Sequence, residues 1–194
     1  MNSFARRSAI AAGLSALALA GCSNTEGPVS ASTTAGTERS RIAADAKSAL
    51  DALYQMRPGT RELGNRARAV LVFPSITQAG LGVGGLYGTG AMLENGRAVG
   101  YYNIVGGTFG FQIGGQSFSQ AYFFNTAEAL ETFRKTKGFE LGAGATAVAA
   151  DYGADGSITT STLQKPVAVV TWGQSGLMAG ANIEGAKITE INPS

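Results

Sequence analysis

Thr89-Gly90-Ala91-Met92-Leu93-Glu94-Asn95-Gly96-Arg97-Ala98-Val99-Gly100-Tyr101-Tyr102-Asn103-Ile104 reads as two strands folded about an Asn-Gly turn. Asn and Gly both tolerate positive φ, which a two-residue hairpin turn requires at its centre. The strands run over about Thr89–Leu93 and Ala98–Ile104. Outward from this hairpin the pattern stays mostly that of strands. Val70–Phe73 is a short apolar run ended by Pro74-Ser75, Phe109, Phe111 and Ile113 alternate with Gly110 and Gln112, and Phe118–Phe124 forms another apolar run. Further strands are expected at about Phe139–Ala150, Ser157–Leu163, Val167–Trp172 and Leu177–Ile188, with an Asp155-Gly156 turn between the first two.

Helices are expected at two places. From about Glu38 to Met56, Ile42, Ala46, Ala49, Leu50 and Leu53 recur at three- and four-residue spacing and make one apolar stripe. Arg57-Pro58-Gly59 stops that helix, and Thr60 is the expected N-cap of a shorter one through about Arg68. The later helix follows Asn125 as N-cap, with Glu128 in capping-box position, Leu130 and Phe133 facing the core, and Gly138 past its end. This order predicts an α+β fold: a curved antiparallel β-sheet, sandwich or partly closed barrel with N-terminal amphipathic helices and one helix inserted late.

The single cysteine stands in Leu19-Ala20-Gly21-Cys22, after Arg6-Arg7 and an apolar run from Ala9 to Ala20. A basic start, a short apolar stretch and small residues before the cleavage point are the layout of an export signal. The ending resembles the lipobox of bacterial lipoproteins, in which the cysteine receives the acyl anchor and becomes the first residue. The expected organisation is a signal peptide over 1–21, a flexible Ser/Thr/Gly-rich tether over 22–37 beginning at lipidated Cys22, and one domain over 38–194. A coil of that length reaches roughly 20–25 Å. The expected location is the bacterial cell envelope, lipid-anchored, at the outer membrane facing the periplasm.

Composition narrows the function. Without Arg6 and Arg7, 13 basic and 13 acidic groups remain, a balance that argues against nucleic acid as partner. The chain has no histidine, which removes the usual general base near neutral pH and most zinc sites. No cofactor and no metal are expected, and no catalytic residue; a carboxylate enzyme using Asp151 and Asp155 is the remote alternative. Gly80-Leu81-Gly82-Val83-Gly84-Gly85 matches a dinucleotide-binding pattern, but no helix pattern follows it and no acidic residue stands about twenty positions on. Gly80, Gly82 and Gly84, like Gly142 and Gly144, leave one strand face bare, which suits close packing, curvature or a groove.

Charge is uneven. Between Arg39 and Arg68 there are seven basic residues (Arg39, Arg41, Lys47, Arg57, Arg61, Arg66, Arg68) and three acidic ones. Such a segment on a membrane-anchored chain is suited to anionic lipid head groups, each basic side chain contributing about 1 kcal/mol near the surface.

From about Arg66 to Ile188 the chain resembles the SYLF domain family. The resemblance rests on Ala69–Ser75, Ala79–Gly85, Gly106–Gly114, Leu141–Gly144 and Ser175–Gly185, in that order. It implies a lipid-associated module: eukaryotic members look like phosphoinositide-binding actin regulators that engage membranes through an amphipathic N-terminal helix and basic residues. Two stretches depart from the family, Gly100–Asn103 in place of Trp-Ser-x-Pro and Asp151–Ala154 in place of Gly-Pro-x-Gly. The function expected is that of a non-enzymatic lipoprotein whose SYLF-like domain binds anionic membrane lipid through its basic helices. The alternative is an envelope scaffold or protein-interaction module using the aromatic, Gly-rich sheet.

Overall fold

The computed structural model describes residues 31–140, 147–150, 158–173 and 186–193. The signal segment, Cys22, the tether to residue 30, Gly142, Gly144, Asp151 and the Asp155-Gly156 turn lie outside the described residues. Helix α1 runs Ala31–Met56 and α2 Gly59–Arg66; β1 spans Ala69–Glu94 and β2 Arg97–Phe124. Then come α3 (Ala127–Lys135), β3 (Gly138–Glu140), β4 (Ala147–Ala149), α4 (Thr160–Gln164), β5 (Val167–Gly173) and β6 (Ala186–Ile191). The strands form one open, curved sheet in the order β3-β6-β2-β5-β4, with β1 also on β2. The α+β class is as expected, and the sheet does not close into a barrel.

The hairpin forms at the expected turn, with Asn95 at φ 49° and Gly96 at φ 76°, and Glu94 opposite Arg97. Its arms are far longer than local signals suggest. Pro74-Ser75 does not end the first strand, because the ladder slips there instead: Phe73 faces Gln120 and Ile76 faces Phe118. Two residues oppose one, so a bulge accommodates the residue that lacks an N–H, and Ser119 Oγ donates to the Pro74 carbonyl at 2.7 Å.

So long a ribbon has to bend. Tyr102 and Phe124 would stand about 70 Å apart on a straight strand, yet the Phe133 ring on α3 lies 5.1 Å from one and 5.0 Å from the other. The crossing is made at glycines. A Cβ on Gly90 would collide with the Val72 carbonyl, and one on Gly88 would meet Ile76 and the Ser75 carbonyl at 2.9 Å. Bare faces on β1 therefore serve close packing, at Gly88 and Gly90; the surroundings of Gly80 and Gly82 lie outside what is described.

Two apolar clusters result, one on each face of the sheet. The first joins both halves of the ribbon under α3, with Leu71, Phe73, Ile104, Tyr122 and Phe133. The second lies beneath α1 and α2, where Ile42, Ala46, Leu50, Leu53 and Leu63 cover Val70, Val72, Phe123 and Trp172. The stripe on α1 thus packs as its spacing predicts.

Four local expectations are corrected. α1 begins at Ala31, seven residues inside the expected tether, since extending a packed helix is easy once its nucleus exists. Thr60 does not cap α2; Pro58 holds that position and Thr60 is buried, its hydroxyl donating to the Arg57 carbonyl at 2.6 Å. The cap of α3 is Thr126, which accepts from the Ala129 N–H at 3.2 Å, while Asn125 donates to the Lys165 carbonyl at 2.8 Å. Of the strand expected over Ser157–Leu163, the described residues 158–163 do not form one: Thr159 accepts from the Thr162 N–H and opens α4. In addition, the pairing of β4 with β5 is parallel where an antiparallel one was expected.

Candidate functional site

All seven predicted basic residues fall on α1, α2 or their flanks, and their surroundings separate them into two groups. On α1, Arg41 is engaged with acids on its own helix, at 2.6 Å from Glu38 and 3.3 Å from Asp45. The hydrogen bond from Arg41 holds the Glu38 carboxyl below its usual range. Arg39 is exposed on α1, three residues before Ile42 and seven before Ala46. Its Nε donates to the Pro193 carbonyl at 3.2 Å, tying α1 to the chain beyond β6. Lys47 is exposed. With Glu38, Asp45 and Asp51 against Arg39, Arg41 and Lys47, α1 carries no net charge.

The excess lies further on. From Arg57 to Arg68 four arginines face a single acid, Glu62. Arg61, Arg66 and Arg68 are exposed and Arg57 is half-buried. Arg66 stands 3.8 Å from Glu62, both well exposed, a pair of little energetic weight. The Arg61 guanidinium lies 4.9 Å from the Tyr54 ring centre, where the π face favours a cation. Burial pushes the Tyr54 hydroxyl up to about 12, against the opposing pull of Arg61. Leu63, fully buried beneath α2, fixes the helix on the sheet and leaves its arginines outward.

The sheet extends this cluster. The Arg68 N–H donates to the Phe124 carbonyl at 2.7 Å, and the Asn125 N–H to the Pro166 carbonyl at 2.9 Å. These bonds bring the start of β1, the end of β2 and the approach to β5 together, so the backbone of Lys165 lies at the same corner of the sheet as that of Arg68. Glu128, in the first turn of α3, leaves from the same corner. Lys165 was missed by sequence reasoning, since nothing local links it to residues a hundred positions earlier.

The other expected sites are distributed as follows. Gly80, Gly82 and Gly84 lie in β1, opposite Gly114, Gly110 and Thr108 of β2. Cys22, Asp151 and Asp155 lie outside the described residues. Among the described residues no group of three or more Cys, His, Asp or Glu is placed to hold a metal ion, and no helix is long and apolar enough to cross a membrane.

Compared with known protein families, residues 105–193 match the model of the Ysc84 family, described as Las17-binding protein actin regulators and equivalent to the SYLF domain. No curated protein matches the chain. The matched segment begins inside β2, and the strand residues it takes from β2 pair with β1 from Ala69 to Tyr87. The structural unit is therefore larger than the match, and the arginines of α2 lie outside it.

Proposed function

We propose that this chain, which carries a Ysc84-type SYLF domain over residues 105–193, is a non-enzymatic lipoprotein of the bacterial envelope that binds anionic membrane surfaces. Binding is assigned to the corner made by Arg57, Arg61, Arg66 and Arg68, where the backbone of Lys165 also lies. The observation that carries this reading is the concentration of four arginines against one acid within twelve residues, next to an electrically neutral α1. A cluster of this kind attracts phosphate head groups at about 1 kcal/mol per cation, screened over about 8 Å at physiological salt. Acyl chains on Cys22 would hold the domain at the membrane and raise the local lipid concentration. The actin regulation in the family's description is not carried over, because an envelope protein facing the periplasm meets no actin.

Charge reversal tests the assignment. In a chain lacking residues 1–22, which retains every described residue, Arg61→Glu, Arg66→Glu and Arg68→Glu together are expected to weaken binding to phosphatidylglycerol-containing vesicles roughly a hundredfold at low salt. Arg41→Gln with Lys47→Gln should have a much smaller effect, since Arg41 is already neutralised by Glu38 and Asp45. Equal binding of the unaltered chain to neutral and anionic vesicles would rule the assignment out. The scaffold alternative has less to work with, because Phe73, Tyr102, Phe118, Tyr122, Phe123, Phe124 and Trp172 are buried.

The anchor has its own test. Cys22→Ser in the full chain is expected to shift the protein from the membrane fraction to the soluble one, since stable anchoring takes two acyl chains. Retention after salt and carbonate washing would contradict lipidation.

A further inference from the structure

Glycine weakens a helix interior relative to alanine, yet Gly64 stands within α2. The reason lies on α1. A Cβ on Gly64 would collide with the Tyr54 hydroxyl and come within 2.7 Å of the ring carbon that bears it. Tyr54 therefore occupies the space that Gly64 leaves. Its ring reaches Arg61, three residues before Gly64, whose guanidinium carbon lies 4.9 Å from the ring centre. Residues three apart are neighbours on a helix face, so one side chain of α1 meets both. Tyr54 is itself held in place, packed partly buried against the apolar cluster beneath the two helices. With its hydroxyl pushed up to about 12 by burial, the ring is an uncharged phenol at physiological pH.

The four arginines of the corner are thus not equivalent. Arg57 is half-buried, and Arg66 stands 3.8 Å from Glu62. Arg61 is exposed, and its guanidinium makes no ion pair with an acid among the described residues. Asp51, close enough to act on the Tyr54 hydroxyl, is outside ion-pair range of it. A carboxylate holding Arg61 as firmly would cancel its charge and occupy its N–H donors. An aromatic face does neither. An arginine already held also loses less rotamer freedom when an anion captures it. The donors left over suit two acceptor oxygens set side by side, which the phosphodiester of a lipid head group supplies.

We infer that Tyr54 is the positioning residue of the basic corner: it holds the Arg61 guanidinium over its ring with the N–H donors unspent, so that Arg61 takes the two non-bridging oxygens of a lipid phosphate. Gly64 is the opening that admits it. The inference rests on the anionic-membrane reading above and adds which arginine is set in advance, and by what.

The test uses the chain lacking residues 1–22 and vesicles of phosphatidylcholine and phosphatidylglycerol. Tyr54→Leu keeps apolar packing and removes the π face, and affinity should fall about threefold. Tyr54→Phe keeps the ring and should bind as the unaltered chain does. Arg61→Lys keeps the charge without the planar fork and should also lose about threefold. Coupling separates positioning from a merely structural role. Arg61→Gln should cost about fifteenfold in the unaltered chain and about fivefold in the Tyr54→Leu chain, while Arg68→Gln costs the same in both. Gly64→Ala, whose methyl displaces the ring while alanine favours the helix, should lose about threefold and stay folded. It gives the same cycle should Tyr54→Leu unfold. If Arg61→Gln costs the same with and without the ring in place, Tyr54 only supports the fold and the inference is overturned. Binding by Tyr54→Phe as weak as by Tyr54→Leu, or by Arg61→Lys as strong as by the unaltered chain, overturns it too. The reading of the corner survives each of these results. No loss from Arg61→Gln also overturns the inference, and the corner falls with it only if the triple charge reversal above is without effect.

Discussion

Phe133→Ala is expected to cost about 3–5 kcal/mol in urea unfolding, a large share of the stability of a domain this size. Phe133 is 1% exposed, and its ring contacts Tyr102 from the hairpin half of the ribbon and Phe124 from the base. Truncation removes the one aromatic ring shown in contact with both halves. The cavity would lie where the bent sheet is held to itself, so collapse around it would require the two halves to move together. A loss below about 1 kcal/mol would mean that the bend is maintained elsewhere. Phe133→Leu, which retains most of the volume, should recover much of the loss.

The glycine series should give an equally steep ranking. Gly138→Ala is expected to cost at least about 3 kcal/mol, because its Cβ would collide with the Ile188 carbonyl and its φ is 132°. Gly90→Ala, which drives a methyl into the Val72 carbonyl, should cost about 2–3 kcal/mol. Gly96→Ala has open space and carries only the strain of φ 76°, about 1 kcal/mol. Gly107→Ala should be close to neutral, because that position has neither a positive φ nor a neighbour within reach of the added methyl. Thermal melts of the four variants check the ranking, and a Gly90→Ala protein as stable as Gly107→Ala would disprove the crossing of β1 over itself.

Those crossings mark where sequence reasoning reached its limit. The Asn95-Gly96 turn was legible because its chemistry is local: two adjacent residues that accept positive φ. The α1 stripe was legible for the same reason, as a period that one helix face must satisfy. Pro74-Ser75 misled because a break signal and a bulge are the same local chemistry, and only the pairing with Ser119 decides between them. Ser157–Leu163 misled because Thr favours strands in general, while here Thr159 and Thr162 satisfy a helix start. That Gly90 meets the Val72 backbone is a contact across eighteen residues of one strand, and no spacing rule encodes it.

The basic site was legible as a count and misplaced as a surface. A window opened at Arg39 leaves out Glu38, the residue that neutralises Arg41. Adding that one position cancels the single positive charge left on α1, so the whole excess lies between Arg57 and Arg68. The role of Arg39 could not be read locally, since its acceptor, the Pro193 carbonyl, is 154 residues away.

The position of β6 has a consequence for the order in which the molecule assembles. β6 is the last of the described strands, yet it lies between β3 and β2, and β3 pairs with nothing else among the described residues. Residues 138–140 therefore wait for partners that emerge about fifty positions later. Synthesis proceeds at about 5–20 residues per second, so the sheet stays incomplete for several seconds after β3 is made. Closing long loops before they are rewarded by contacts is slow in any case. A polypeptide wired this way reaches its native state only after its final strand has arrived. Until then the N–H and C=O groups of β3 lack their ladder partners and are left to water.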